Sequence, residues 1–77
     1  MSLQDDAISA ENAVRTAEVA LEHAWAIEAQ AWTLPLADRR AALDAARADV
    51  EVKVADLDNA RAAWNAACEA IAAEQGA

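Results

Sequence analysis

The second half of the chain carries the most regular hydrophobic pattern. Six large apolar residues recur there at intervals of seven without a break, namely Leu36, Leu43, Val50, Leu57, Trp64 and Ile71. A seven-residue apolar repeat is typical of helices that pack along one seam and supercoil left-handedly. The pattern predicts a helix from about residue 36 to residue 74. We expect the last five members of the repeat to line its seam, with alanines beside them that let a neighbouring helix approach closely.

The first half of the chain predicts another helix, from about residue 3 to residue 33. Its apolar residues fall on one stripe of a helical wheel, and they are Leu3, Ala7, Ala10, Val14, Ala17, Leu21, Trp25 and Trp32. Glu28 is the only charged residue on this line. Ser2 followed by Asp5 is typical of a helix N-terminus. We expect Val14 and Leu21 to face the second helix.

Pro35 separates the two helical patterns. Proline lacks a backbone N–H and disfavours helical angles at the preceding residue, but it suits the first turn of a new helix. A turn at residues 33–36 therefore predicts an all-α, antiparallel two-helix hairpin that spans residues 1–77 as one domain. The alternative is one long helix kinked at Pro35, because the two apolar stripes are nearly in phase across the proline.

The tight turn also predicts which residues meet across the hairpin. The expected pairs are Val14 with Leu57, Leu21 with Val50, Ala7 with Trp64, and Glu28 with Leu43. Three of these pairs are apolar. The fourth places a carboxylate against a leucine near the turn and is the one poor match.

The composition limits how stable such a hairpin can be alone. Apolar residues make up 57% of the 77-residue chain, but most of them are alanine, so few large side chains remain for a core. Chains of this length seldom stabilise one core unaided, and two helices share only one seam. We therefore expect self-association or a protein partner to complete the core, most simply as four helices.

The charge of the chain narrows the choice of partner. Fourteen acidic and six basic residues give a net charge of −8, which disfavours direct binding to nucleic acid or to an anionic membrane. The sequence predicts a structural or adaptor module that binds protein. The alternative is an acidic inhibitor, of the antitoxin or anti-CRISPR type, that masks a basic nucleic-acid-binding surface of its target.

These two functions place the binding energy in different residues. A structural module should bind through exposed apolar side chains, for which the candidates are Ile8, Val19, Trp25 and Trp32, and its binding should depend weakly on salt. An inhibitor should bind through carboxylates such as Glu11, Glu18 and Glu22, and salt should weaken it sharply. A further interpretation is that the tryptophans only fill gaps beside alanines within the hairpin's own core.

No residue pattern in the sequence indicates catalysis. His23 is the only histidine and is expected on the solvent side of the first helix, whereas Cys68 is expected as a small buried residue on the seam near Leu3. The sequence has no Gly-rich phosphate loop, zinc motif or nucleophile elbow. We expect no catalytic, cofactor or metal site and no small-molecule substrate.

The chain also lacks the usual signals for export. The first residues carry no basic region followed by an apolar run, and no uncharged stretch approaches the length of a membrane span. A single cysteine fits a reducing compartment. We expect a cytoplasmic protein, and the abundance of alanine, arginine and aspartate suggests a bacterial or phage source.

Overall fold

The computed structural model describes residues 2–76, which form two antiparallel helices. Helix α1 spans Leu3–Ala31 and helix α2 spans Leu36–Gly76. The two helices pack along one another, so the predicted all-α hairpin is confirmed and the kinked single helix is not adopted. Met1 and Ala77, the ends of the predicted 1–77 domain, lie outside the described residues.

The start of α1 is capped as the sequence predicts. Ser2 has an extended backbone, and its hydroxyl oxygen accepts a hydrogen bond from the N–H of Asp5 at 3.1 Å. This bond satisfies one of the N–H groups that the first turn of a helix leaves without a partner. Asp5 and Asp6 lie in that turn, where the helix dipole favours negative charge.

Hydrogen bonds fix the end of the loop to the start of α2. Pro35 directly precedes α2, and its carbonyl oxygen accepts hydrogen bonds from the N–H groups of Asp38 and Arg39, both at 3.0 Å. The guanidinium of Arg39 also donates two hydrogen bonds, of 3.1 and 3.3 Å, to the carbonyl oxygen of Leu34. These bonds tie Leu34 and Pro35 to the first turn of α2.

Helix α2 is longer than α1 and determines the length of the molecule. Its 41 residues correspond to about 62 Å at the usual helical rise, which matches the long dimension of 62 Å. The first residues of α1 lie beside Ile71 and Glu74, near the end of α2. The extra length of α2 therefore lies mostly at the turn, where its first residues project beyond Ala31 and Leu36 is 79% exposed.

This projection corrects the predicted register. On the seam the displacement is about three positions, because Leu3 lies beside Ile71 rather than beside Cys68, and Val14 and Leu57, a predicted pair, still share one core cluster. On the side that carries the tryptophans, the long side chains of Arg61 and Arg47 reach Glu18 and Trp32, each eight positions beyond the predicted level partner. On the opposite side of the seam the displacement is smaller. The N–H groups of residues 32–34 bond to the carbonyl oxygens of Ala29, Gln30 and Ala31, so the loop continues the last turn of α1 and the chain reverses only at Pro35, with α2 displaced relative to α1.

The core is a thin line of side chains along the seam. Val14, Leu21 and Leu57 form its centre and are 5–6% exposed, and Val50 and Trp64 pack against them. The seven residues predicted for the seam fall in two groups, with Val14, Leu21, Leu43 and Leu57 buried and Val50, Trp64 and Ile71 half-buried. Alanines occupy many of the intervening positions, as in Ala17 and Ala60.

Near the turn the seam of α1 differs from the predicted stripe. Trp25 and Trp32 are 52% and 51% exposed, whereas Ala24 and Ala31 are 1% and 5% exposed. A seam with a seven-residue repeat drifts by about 20° per repeat around a straight helix. By the end of α1 this drift has moved the contact line from the tryptophans to the alanines. The interpretation that these two tryptophans fill gaps in the core is therefore wrong.

Candidate interaction face

One side of the hairpin exposes both tryptophans of α1. Trp25 and Trp32 lie seven residues apart, about two helical turns, and each is half-exposed. Val54 of α2 is 39% exposed and lies on the same side. We call the surface formed by Trp25, Trp32 and Val54 the tryptophan face.

Two contacts between the helices set the register of this face. At one end, the carboxylate of Glu18 lies 4.0 Å from the guanidinium of Arg61. At the other end, the guanidinium carbon of Arg47 lies 5.8 Å from the ring centroid of Trp32, within the range of a cation–π contact. Both pairs follow one antiparallel register, in which seven steps forward in α1 match seven steps back in α2.

The same register places Trp25 beside Val54, midway between the two contacts. A hollow of about 280 Å³ adjoins the indole and is lined by Glu18, Leu21, Glu22, Trp25, Leu57 and Arg61. Leu21 and Leu57 belong to the buried core. An apolar side chain placed in this hollow would therefore touch the edge of the core, with the carboxylates of Glu18 and Glu22 at its rim.

The turn end of the hairpin has a different character. A groove of about 400 Å³ runs along the projecting part of α2 and is lined by Leu36, Arg39, Arg40, Leu43, Asp44 and Arg47. Three of the six basic residues of the chain lie in this groove. Leu36 is the most exposed large apolar side chain identified in the structure.

The basic residues divide into two groups by their surroundings. Arg15, Lys53 and Arg61 each lie within 4.0 Å of a carboxylate of the same chain. Within residues 2–76, no carboxylate lies as close to Arg39, Arg40 or Arg47. Residues 32–47 carry a net charge of +1 and the remainder of the chain carries −9. The hairpin is therefore electrically polar along its length.

The other candidate apolar residues do not join the tryptophan face. Ile8 and Val19 are 57% and 65% exposed, but Val19 lies about 120° around α1 from Trp25. Ile8 and Val19 lie on nearly the same line of the helix, roughly 16 Å apart. They are two separate apolar side chains on a different surface of the hairpin.

The three candidate carboxylates lie near the tryptophan face and differ in their contacts. Glu11 forms an ion pair of 2.8 Å with Arg15 four residues later, and Glu18 faces Arg61. Glu22 is exposed and lines the hollow beside Trp25. Two of the three carboxylates are thus partly neutralised within the chain.

The predictions for the exposure of His23 and Cys68 have different outcomes. His23 is exposed, as predicted. Cys68 is also exposed, and its predicted burial is wrong. The half-buried position on the seam is taken by the preceding residue, Ala67. The displaced register contributes as well, because Leu3 lies beside Ile71 rather than beside Cys68.

Sequence reasoning missed the turn end as a distinct surface. Arg39, Arg40 and Arg47 form a local basic region with Leu36, which the apolar patterns of the helices did not indicate. The available signal was the concentration of three arginines within nine residues of an acid-rich chain. Val54 was also missed as a neighbour of Trp25, because the register that joins them depends on the loop.

The described residues offer neither a metal site nor a membrane span. Among residues 2–76, no group of three or more His, Cys, Asp or Glu side chains is placed to hold a metal ion. Neither helix, over its described length, is long and apolar enough to cross a membrane. The tryptophan face and the turn end are thus the features that carry a functional argument.

The face combines aromatic surface with a fixed geometry. Its side chains project from two packed helices, and the contact between Trp32 and Arg47 and the ion pair of Glu18 flank it. Such an arrangement is suited to binding another protein surface. Comparison with known proteins finds no matching family model, no matching curated protein and no matching solved structure.

Proposed function

We propose that this hairpin is a non-enzymatic protein-interaction module, a structural or adaptor component that binds a helical partner through the tryptophan face. The observation that carries the proposal is the position of Trp25, half-exposed at the edge of the core. Tryptophan is enriched among the residues that dominate binding energy, because its ring buries a large area. A partner that covers Trp25 would extend the thin core outward.

The spacing of the face supports a helix as the partner. Trp25 and Trp32 are seven residues apart in α1, and Val54 and Arg47 are seven apart in α2. A helix with apolar residues at the same interval can pack against such rows over several turns. Binding of one or two helices would produce a bundle with a core enclosed on more sides.

The alternative function, an acidic inhibitor of a basic surface, depends on the carboxylates of α1. Glu11 and Glu18 already lie beside Arg15 and Arg61 of the same chain. A basic partner would share these carboxylates with the arginines of the chain, which lowers the gain from binding without removing it. The exposed indole of Trp25 has no such competitor, and this difference favours the apolar mode of binding.

A photo-crosslinking side chain placed at Glu22 tests the proposal, because Glu22 lines the rim of the hollow beside Trp25. The matched control carries the same group at His23, the next residue, which is exposed about 100° further around α1. In cells that express the chain, we expect a discrete adduct from position 22 and little from position 23. Trp25→Ala should remove the adduct.

The salt dependence of the adduct distinguishes the two proposed functions when the crosslinking experiment is repeated in lysate. The adduct from position 22 should persist between about 0.1 and 0.5 M salt, because burial of apolar surface is not screened. An adduct that disappears over this range would support the inhibitor instead. The absence of any adduct from position 22, or equal adducts from positions 22 and 23, would contradict the proposed function.

A further inference from the structure

We propose that the tryptophan face binds a second copy of this chain, packed antiparallel about a twofold axis at Trp25. The inference rests on the proposed function, since it uses the same face and names the occupant. It is carried by the match between the turn-end arginines and the carboxylates that lie at equal distances on the other side of Trp25.

The charge distribution favours one orientation of the two copies. The turn end, residues 32–47, has a net charge of +1 and the remainder of the chain has −9. A parallel arrangement would place the two acidic parts side by side. An antiparallel arrangement places the arginines of each copy along the acidic part of the other, which is the complementary choice.

The spacing of residues along α1 sets the register about the axis. Trp32 lies seven residues from Trp25 toward the turn, and Glu18 lies seven residues from Trp25 in the other direction, each about 10 Å away. A twofold axis at Trp25 therefore brings Trp32 of one copy to Glu18 of the other. The guanidinium of Arg47 lies over the Trp32 ring, so it accompanies that ring to the carboxylate of Glu18, which it shares with Arg61 of the same chain as that carboxylate.

A second pair of residues is matched across the same axis. Arg40 lies seven residues before Arg47 in α2, and Glu11 lies seven residues before Glu18 in α1. The same axis therefore brings Arg40 of one copy near Glu11 of the other. Neither Arg40 nor Arg47 has a carboxylate of its own chain within 4.0 Å in the described structure. Two arginines at one-heptad spacing thus meet two glutamates at the same spacing.

The available area suits a dimer. The two half-exposed indoles leave on the order of 200 Å² of aromatic surface on each copy, and Val54 and Leu36 add apolar area on α2. The hairpin measures 62 × 16 × 13 Å. A contact along most of its broad side approaches the roughly 800 Å² per partner that is usual for a stable interface.

Charge reversal tests the orientation and the register together. We expect the purified chain to sediment at twice its mass of 8.1 kDa at tens of micromolar. Arg47→Glu alone and Glu18→Arg alone should each weaken self-association at least tenfold, because each sets like charges against each other twice. An equimolar mixture of the two variants should restore the dimer, since opposite charges then meet at both places.

Two controls accompany this experiment. Asp56→Arg makes the same change of charge as Glu18→Arg but lies in the groove on the opposite side of the seam, so it should leave self-association unchanged. Circular dichroism should show that each variant remains helical. If one variant unfolds, the second matched pair, Arg40 and Glu11, provides the same test. The variants are then Arg40→Glu, Glu11→Arg and their mixture.

Several results would overturn the inference. A chain that stays monomeric at several hundred micromolar, single variants that associate normally, or a mixture that does not recover would each do so. The adduct from position 22 then distinguishes the two proposals. An adduct to a protein of another mass retains the proposed function and rejects only the second copy, whereas the lack of any adduct rejects both.

Discussion

The guanidinium of Arg47 in α2 lies over the indole ring of Trp32 at the end of α1, 5.8 Å from the ring centroid. This contact joins the end of α1 to the twelfth residue of α2, about three turns into that helix. It has an energetic role, because a cation above an indole face is attracted by the ring quadrupole. It also covers part of a tryptophan that the seam leaves half-exposed.

Loss of this contact should lower the stability of the hairpin. Arg47→Ala should reduce the free energy of unfolding by about 0.5–1 kcal/mol, measured by urea denaturation with circular dichroism at dilute concentration. Arg40→Ala is the matched control, because Arg40 lies in the same groove and no contact with an aromatic ring is recorded for it. Equal effects of the two substitutions would show that the ring contact contributes nothing.

Substitution with alanine should have very different effects on stability at the most buried and the most exposed leucine of the α2 repeat. Leu57→Ala should destabilise the fold by about 2–4 kcal/mol, because Leu57 is 6% exposed in the core and its removal leaves a cavity. Leu36→Ala should cost less than about 0.5 kcal/mol, since Leu36 is 79% exposed. Thermal denaturation of dilute samples measures both. A large loss from Leu36→Ala would contradict the projection of α2 beyond α1.

The cap of α1 should contribute measurably to stability. Ser2→Ala removes the hydroxyl that accepts the N–H of Asp5, and it should cost about 1 kcal/mol. Ser9→Ala is the control, because Ser9 is exposed within the helix and alanine has the higher helix propensity. We expect the two substitutions to shift the unfolding midpoint in opposite directions. Shifts of the same sign and size would be inconsistent with capping.

Cys68 should be accessible in the folded protein. Its side chain is exposed on α2, so a thiol reagent should modify it in native buffer at a rate within about tenfold of the rate in urea. A buried thiol reacts only when the structure opens, which slows modification greatly. Strong protection in the native state would show that Cys68 lies on the seam after all, or that association covers it.

Much of the hairpin was accessible from sequence because its determinants are local. The seven-residue repeat in α2 needs only the order of apolar residues along the chain, and the effect of Pro35 on its neighbours is equally local. Ser2 and Asp5 are three residues apart, so the cap too could be inferred from spacing alone. The net charge that separates the function classes is a property of composition.

The candidate site was less accessible, since it depends on how the two helices are aligned. Trp25 and Trp32 were identified as partner-binding candidates, but their exposure was one of two open interpretations. The turn-end arginines were not recognised as a surface. Their role emerges only when α2 is seen to project past Ala31 and when Arg47 is found beside Trp32.

The sequence alone determined that the chain forms two helices, where each begins and where the chain reverses, because these depend on residues within one or two turns of one another. The tertiary structure decided the alignment of the helices. That alignment depends on the path of residues 32–35 and on the sum of weak contacts along an alanine-rich seam. It places Ala24 and Ala31 inside and Trp25 and Trp32 at the surface, because a supercoiled seam drifts around each helix in a way that a straight wheel does not follow.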